Sequence, residues 1–319
     1  MGCRSQNPVT DCPFRDGAYD FAQEQPEVAE YPEATSIGWV RQVHPRGIRM
    51  DTTNHVPAAY FRNRWLPKVR DGRELFVVAE VFSGDVAELE TYLDAGFDAV
   101  LNYPLHGVLI DTFAKGAPVA KLREALDASD DRLHGHVVNF VDNHDVPRFA
   151  TELTERLPAE EALPRYHVAL TALFTIPGVP QLYYGDELAL LGGRNPDNRR
   201  DMPAWAFTPE GRASPHPEVS LGIPEQTHAW VSRLTRLRHE HSALVDGSLG
   251  FIVHASEPGS RSVSPVSNTT GSSGVFSRAR FARVMPSIPG RFRSTSSRSG
   301  ANARSWTWAS SAVLTASTS

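Results

Sequence analysis

Five short apolar segments, each closing on polar residues, constrain this chain more than any other feature. They are "GIRMD" (47–51), "LFVVAEV" (75–81), "FDAVLNY" (97–103), "HVVNFVD" (136–142) and "VPQLYYG" (179–185). Near-continuous Val, Ile, Leu and Phe is the pattern of strands buried on both faces, which is how parallel sheets read. Stretches of helical period lie between and beyond them. "VPAAYFRNRWLPKVRD" follows the first segment, with Pro57 and Pro67 expected to limit its ends. "SGDVAELETYLDAG" follows the second, with Ser83 or Asp85 available as cap and Gly96 as stop. "PAEEALPRYHVALTALFTIPG" precedes the fifth segment and "PEQTHAWVSRLTRLRHEHSAL" follows it. Strand and helix alternating every ~20–45 residues imply right-handed βαβ units around a parallel sheet. The polar residues gather at the C-terminal ends of the strands, where active sites sit in both barrels and open α/β sheets.

Length and charge set the outer bounds. A chain of 319 residues holds one large domain, or one plus a smaller one. Its net charge of −5 is unevenly spread: residues 258–319 carry eight Arg, no Lys and no acid, while the first 257 carry 24 basic and 37 acidic residues. The tail is also rich in Ser and Gly and sustains neither helical nor strand period. Such a segment cannot bury enough apolar area to offset its ordering entropy, so disorder is expected there. The abrupt loss of acids and Lys further suggests translation in a shifted reading frame. The expected division is an irregular segment over 1–16, the strand-and-helix domain over 17–250 and the Ser/Arg-rich tail over 251–319. Basic segments bind phosphate electrostatically, but a solvated tail is the expectation, with no nucleic-acid partner. Cys3 and Cys12 make neither a disulfide framework nor a CxxC metal pair. The N-terminus lacks the apolar core of a signal peptide, and no apolar run approaches the ~18–20 residues that span a bilayer. As written the chain is expected to be cytoplasmic, with no membrane partner.

The strand ends carry the chemistry. The first segment ends at Asp51, the second contains Glu80 within "VVAEVF", and the fourth runs into Asn143-His144-Asp145 within "FVDNHDVPRF". Taken singly, such an acid is a loop cap or an ion-pair partner. Three in order, at βα spacing, match what glycoside hydrolysis requires, because two carboxyls must flank the scissile bond. One must stay ionised while the other holds a proton, so their surroundings must push their pKa values apart. Alternation along a strand puts Arg49 on the same face as Asp51, where a guanidinium favours an ionised carboxylate. Glu80 lies between Ala79 and Val81, where desolvation raises a carboxyl pKa as a general acid needs.

These residues resemble a known family. "GIRMDTTNHV", "VVAEVF" and "FVDNHD" are similar to the strand-4, strand-5 and strand-7 signatures of the α-amylase family of glycoside hydrolases. "GAYDFAQEQPEVAEY" (17–31) resembles its loop-3 segment, and "IPGVPQLYYGDELALLGG" with "NPDNRRDMPAW" its strand-8 region and following loop. The resemblance implies an α/β fold, a (β/α)8 TIM barrel of which about five of eight units are legible here. It implies Asp51 as nucleophile, Glu80 as general acid and then base, and Asp145 as the carboxylate that hydrogen-bonds sugar hydroxyls. Arg49 would hold Asp51 ionised, and His144 would bind the sugar at the cleavage subsite. Asn54 and His55 fall where the family commonly has Lys-His on the leaving-group side. The mechanism implied is retaining, with the two carboxyls ~5–5.5 Å apart, acting on α-glucosidic bonds of starch-derived glucans or maltodextrins. The alternatives are an inactive remnant that at most binds glucan, or a transglycosylase of the same family.

The departures are as specific. The family's strand-3 signature and its C-terminal β-sandwich have no counterpart in the sequence. An open five-stranded sheet would leave two edges, a route to self-association. The complete family pattern includes a Ca²⁺ site; Asp20 alone matches one of its ligands, and a hard cation wants six or more oxygens, so no metal site or other cofactor is expected. Smaller signals take ordinary readings. His134 and His136 read as structural, "LLGGRNPDNRRD" lacks phosphate-loop spacing, and Trp205 and Tyr184 suit core packing as well as sugar stacking.

Overall fold

The computed structural model describes residues 21–23 and 25–251, together with short strands at 291–292, 306–307 and 314–317. All five expected strands are present: β1 (Gly47–Met50), β2 (Phe76–Ala79), β3 (Ala99–Leu101), β4 (Val137–Asn139) and β5 (Val179–Pro180). They form one sheet in sequence order, every neighbour parallel. Together with the intervening helices this is a partial (β/α)8 barrel. Each strand is shorter than its apolar segment because the ladder stops at the polar C-terminal residues. β5 is shortest and lies at the sheet edge, where Pro180 turns its N–H-less nitrogen away from β4 and Gln181 N–H donates to Asn139 O at 2.8 Å.

The described residues fall into two compact units. The first comprises residues up to 112, 117–140 and 178–181, and so contains the whole parallel sheet; the second comprises 113–116, 141–177 and 182 onward. In the first unit, α1 (Pro26–Val43) precedes β1, a helical run over 58–70 follows it, α2 (Val86–Asp94) follows β2, and α3 (Tyr103–Leu109) and α4 (Val119–Leu133) lie between β3 and β4. α1, α3 and α4 add to the helices read from periodicity. Asp85 caps α2, its carboxylate accepting from Ala87 N–H at 2.9 Å, and Gly96 beyond it takes φ +105°.

Pro57 does open the 58–70 run, but Pro67 does not close it. The chain widens into a π-turn at Phe61–Trp65, where Leu66 N–H donates to Phe61 O, and Pro67 then sits in the first turn of Leu66–Arg70. A proline costs little at a first turn, which is how the helix passes it. The core of this unit lies between the run and the sheet. Phe61 meets Trp65, Tyr92 and Phe97 edge-on at 5.1–6.3 Å between ring centres. Val77, Ala79 and Val81 face them, fully buried.

In the second unit, α5 (Phe149–Thr154) and α6 (Ala159–Thr175) precede the long loop after β5, and α7 (Pro224–Glu240) follows it. His167 of α6 stacks on Trp230 of α7 with ring centres 5.2 Å apart. Further along, β6 (Ser248–Phe251) pairs antiparallel with β9 (Leu314–Ser317), and β7 (Arg291–Phe292) with β8 (Trp306–Thr307). The expectations for residues 1–16, for both cysteines, for Asp20 and for the rest of the 251–319 tail fall outside the described residues. No helix among those described is long and apolar enough to cross a membrane.

Candidate active site

The register of the first two strands builds the site. Arg49 pairs with Val78 and Met50 with Ala79, so Asp51 and Glu80 follow side by side, each one residue past its strand end. Paired residues of a parallel sheet point to the same face, so Arg49, Asp51 and Glu80 share one face while Ile48 and Met50 pack on the core. Two bonds continue the pairing past the ladder: Glu80 N–H donates to Met50 O and Thr53 N–H to Glu80 O, both at 2.9 Å. The turn after Asp51 needs a left-handed residue, and Thr52 supplies it at φ 48°. That turn aims the Thr52 N–H at Glu80 Oε2, 3.0 Å away.

Arg49 joins both carboxyls. Its Nη1 donates to Asp51 Oδ1 at 2.7 Å and its Nη2 to Glu80 Oε1. The sequence had assigned Arg49 to Asp51 alone. The two acids differ sharply in exposure: the Asp51 side chain is 66 % exposed and that of Glu80 is 5 %. Burial pushes the Glu80 carboxyl above its ordinary range; the Thr52 N–H and the Arg49 guanidinium pull it back, and a hydrogen bond with Asp51 adds to the rise. The shared guanidinium holds both acids on one cation. Tyr103, the first residue of α3, donates its hydroxyl to Glu80 Oε1 at 3.3 Å.

Asn54 and His55 lie in the tight turn Thr53–His55 beyond β1. Asn54 is buried, and its Oδ1 has no hydrogen-bond partner. His55 is half-buried, its backbone N–H bonded to Thr52 O at 3.0 Å.

His144 and Asp145 belong to the second unit. His144 Nε2 lies 3.0 Å from Asp145 Oδ2, and Arg199 Nη2 donates to Asp145 Oδ1, also at 3.0 Å. The Asp145 N–H is received by Asn143 Oδ1 at 2.8 Å, an Asx-turn that fixes the loop locally. Close by in sequence stands a cluster the strand-end pattern did not single out. Arg148 lies between Asp142 (3.8 Å) and Asp186 (3.4 Å), with all three side chains at most 2 % exposed. Its guanidinium also covers the ring of Tyr183 at 4.0 Å and donates to Tyr184 O at 2.6 Å. Burial raises the Asp142 carboxyl to about 6, against the pull of Arg148, and raises Asp186 well above its ordinary value, with the Asp142 charge adding to the rise. Both shifts favour a proton retained by the acid pair beside Arg148.

No three His, Cys, Asp or Glu side chains gather to hold a metal ion among the described residues.

Comparison with known proteins agrees with this architecture. The model of the α-amylase catalytic domain matches residues 13–207, more than half of the chain. A maltogenic α-amylase of Bacillus acidopullulyticus is 28 % identical over 240 residues, covering 73 % of this chain and 37 % of that protein. A cyclomaltodextrinase of Thermoanaerobacter pseudethanolicus is 30 % identical over 184 residues, covering 56 % of this chain and 30 % of its own length. The chain therefore spans about a third of these relatives. Among solved structures, the α-amylase of Geobacillus thermoleovorans in complex with acarbose superposes with a TM-score of 0.66 at 28 % identity, covering 78 % of this chain and 53 % of that one. The parallel sheet, the carboxyl pair at its strand ends and the extent of the match lead to one conclusion: the chain belongs to the α-amylase catalytic-domain family.

Proposed function

We propose that the chain carries the machinery of a retaining glycoside hydrolase acting on α-glucosidic bonds of starch-derived glucans or maltodextrins. The observation that carries this reading is the asymmetry of one carboxyl pair: Glu80 is buried with a raised pKa, Asp51 is exposed, and one guanidinium joins them. Such a pair divides the labour of glycoside cleavage. Glu80 gives its proton to the glycosidic oxygen as the C–O bond breaks, and an Asp51 oxygen bonds to the anomeric carbon. A water then attacks that carbon, giving its proton to Glu80 and releasing Asp51. Two inversions retain the configuration. Asp51 lies exposed just beyond edge strand β1, open to an incoming sugar. His144 and Asp145 are assigned to sugar hydroxyls, and Asn54 and His55 to the leaving-group side.

The test is hydrolysis of maltoheptaose by the full chain beside Asp51→Asn and Glu80→Gln. The expected outcome is release of reducing ends that either substitution lowers by ~10²–10⁴-fold, the usual contribution of a positioned acid or base. A wild-type rate no higher than that of Asp51→Asn would mean a remnant that at most binds glucan. Longer oligosaccharides accumulating in place of reducing ends would identify a transglycosylase.

A further inference from the structure

The loop bearing Asp145 is held by a second loop that no assigned role explains. Asn198, in the short 3-10 turn Asp197–Arg199, is 1 % exposed. Its Nδ2 faces three carbonyls of the Asp145 loop: Asn143 O at 3.4 Å, His144 O at 2.9 Å and Val146 O at 2.8 Å. Its own carbonyl accepts from Arg148 Nε at 3.1 Å, tying the same turn to the buried arginine cluster. The next residue, Arg199, donates from Nε to His144 O at 2.9 Å and from Nη2 to Asp145 Oδ1 at 3.0 Å. Gly192 leaves room for this packing, since a Cβ there would lie 2.8 Å from the Asn198 Cα.

We infer that Asn198 and Arg199 are positioning residues for Asp145: the amide fixes the backbone that carries it, and the guanidinium fixes which way its carboxylate points. An amide NH₂ has two protons, and spreading them over three carbonyls of one loop locks that loop more tightly than any single bond. Arg199 meets only one Asp145 oxygen, so a sugar hydroxyl replaces one contact while the backbone stays held. This rests on the reading of Asp145 as a sugar-binding carboxylate, and the experiment separates the two.

Asn198→Ala, Arg199→Met, Arg199→Lys and Asp145→Asn are compared with the wild type in the full chain. Two readouts are used: amide hydrogen exchange over residues 143–149, and binding and hydrolysis of maltoheptaose. Asn198→Ala is expected to speed exchange at the 143–146 amides about tenfold relative to the β2 amides, since hydrogen bonds of ordinary strength are lost. Arg199→Met is expected to raise KM roughly fivefold to tenfold with a smaller change in kcat, and Arg199→Lys to restore most of it, as loss of one charged hydrogen bond predicts. A residue that merely stabilised the fold would lower the melting temperature without that split or that rescue. If Asp145→Asn leaves binding and turnover intact, the sugar-binding reading falls. If it impairs them while Asn198→Ala and Arg199→Met do not, the positioning inference falls. If the wild type neither binds nor cleaves maltoheptaose, the exchange readout decides alone, and unchanged exchange in Asn198→Ala overturns the inference. Arg199 is 41 % exposed at its side chain, so its variants remain informative if Asn198→Ala fails to fold.

Discussion

Arg49 and Arg148 each bridge two carboxyls, and the difference between them separates chemistry from architecture. Arg49 joins Asp51 to Glu80 at the open ends of β1 and β2, with one acid exposed, the other buried and the guanidinium itself 37 % exposed. Arg148 joins Asp142 to Asp186 with nothing more than 2 % exposed. The charge count is the same, one cation to two acids, and both sites raise a carboxyl pKa by burial. Only the first is asymmetric. A sealed cluster can hold a proton but cannot hand it to a substrate, whereas a buried acid beside an exposed one can. What distinguishes the catalytic candidate is unequal access, with a perturbed pKa common to both sites.

The comparison breaks most readily at the arginines. Arg148→Met leaves two buried acids without their cation and is expected to cost ~3–5 kcal/mol in urea unfolding at neutral pH. Arg49→Met is expected to cost about 1 kcal/mol or less, because the cation is partly solvated. The same substitution is expected to lower maltoheptaose hydrolysis by ~10²-fold, the scale of losing one preorganised charge contact. Equal stability losses at the two arginines would dissolve the distinction.

Acidity sharpens it. Asp142 titrates at about 6 in the folded protein against an ordinary 3.8. The folded state therefore keeps a proton that the unfolded chain has already lost. Its contribution to stability is complete below the ordinary value and declines as pH rises toward 6, with Asp186 carrying the decline higher. The expected fall is on the order of 2–3 kcal/mol, and it runs opposite to the usual acid denaturation. Asp142→Asn keeps an acceptor for the Phe149 N–H, which lies 2.7 Å from Asp142 Oδ2, and should flatten the profile between pH 4 and 8. A wild-type stability that rises across that window in parallel with Asp142→Asn would remove the retained proton from the account.

How much of this was legible in the sequence follows from which contacts are local. Strand positions and Asp51 were readable, because an apolar run closing on Arg-x-Asp signals itself within five residues. Glu80 was readable because an acid flanked by Ala79 and Val81 has no polar company. The Arg148 cluster was not, since Asp142 closes "HVVNFVD" like any strand-end acid and its partner Asp186 lies 44 residues further on. Burial made that pair, and periodicity does not report which strand-end acid is covered. Tyr103 was hidden for the same reason: its place on Glu80 depends on β2 and β3 being neighbours, and an aromatic at a helix start reads as packing. Pro67 misled through a local rule that a π-turn overrides.

Two tyrosines, one at each site, test the same division by removing a single hydroxyl. Tyr103 packs its ring 4.4 Å from that of Phe82 and 5.0 Å from that of Phe140, so Tyr103→Phe removes only the hydroxyl that reaches Glu80. A 3.3 Å bond is weak, and a stability loss of ~0.5 kcal/mol is expected. Taking a donor from the ionised form raises a carboxyl pKa further, so the alkaline limb of kcat/KM should move to higher pH in this variant. Tyr166→Phe removes the hydroxyl that donates to Asp186 O at 2.8 Å inside the sealed cluster. It leaves a buried carbonyl short of a partner and is expected to cost ~1–2 kcal/mol while leaving the pH limbs in place. If Tyr166→Phe moved the limbs and Tyr103→Phe did not, the buried acids would be the ones that govern turnover, and the roles given to the two arginine sites would have to be exchanged.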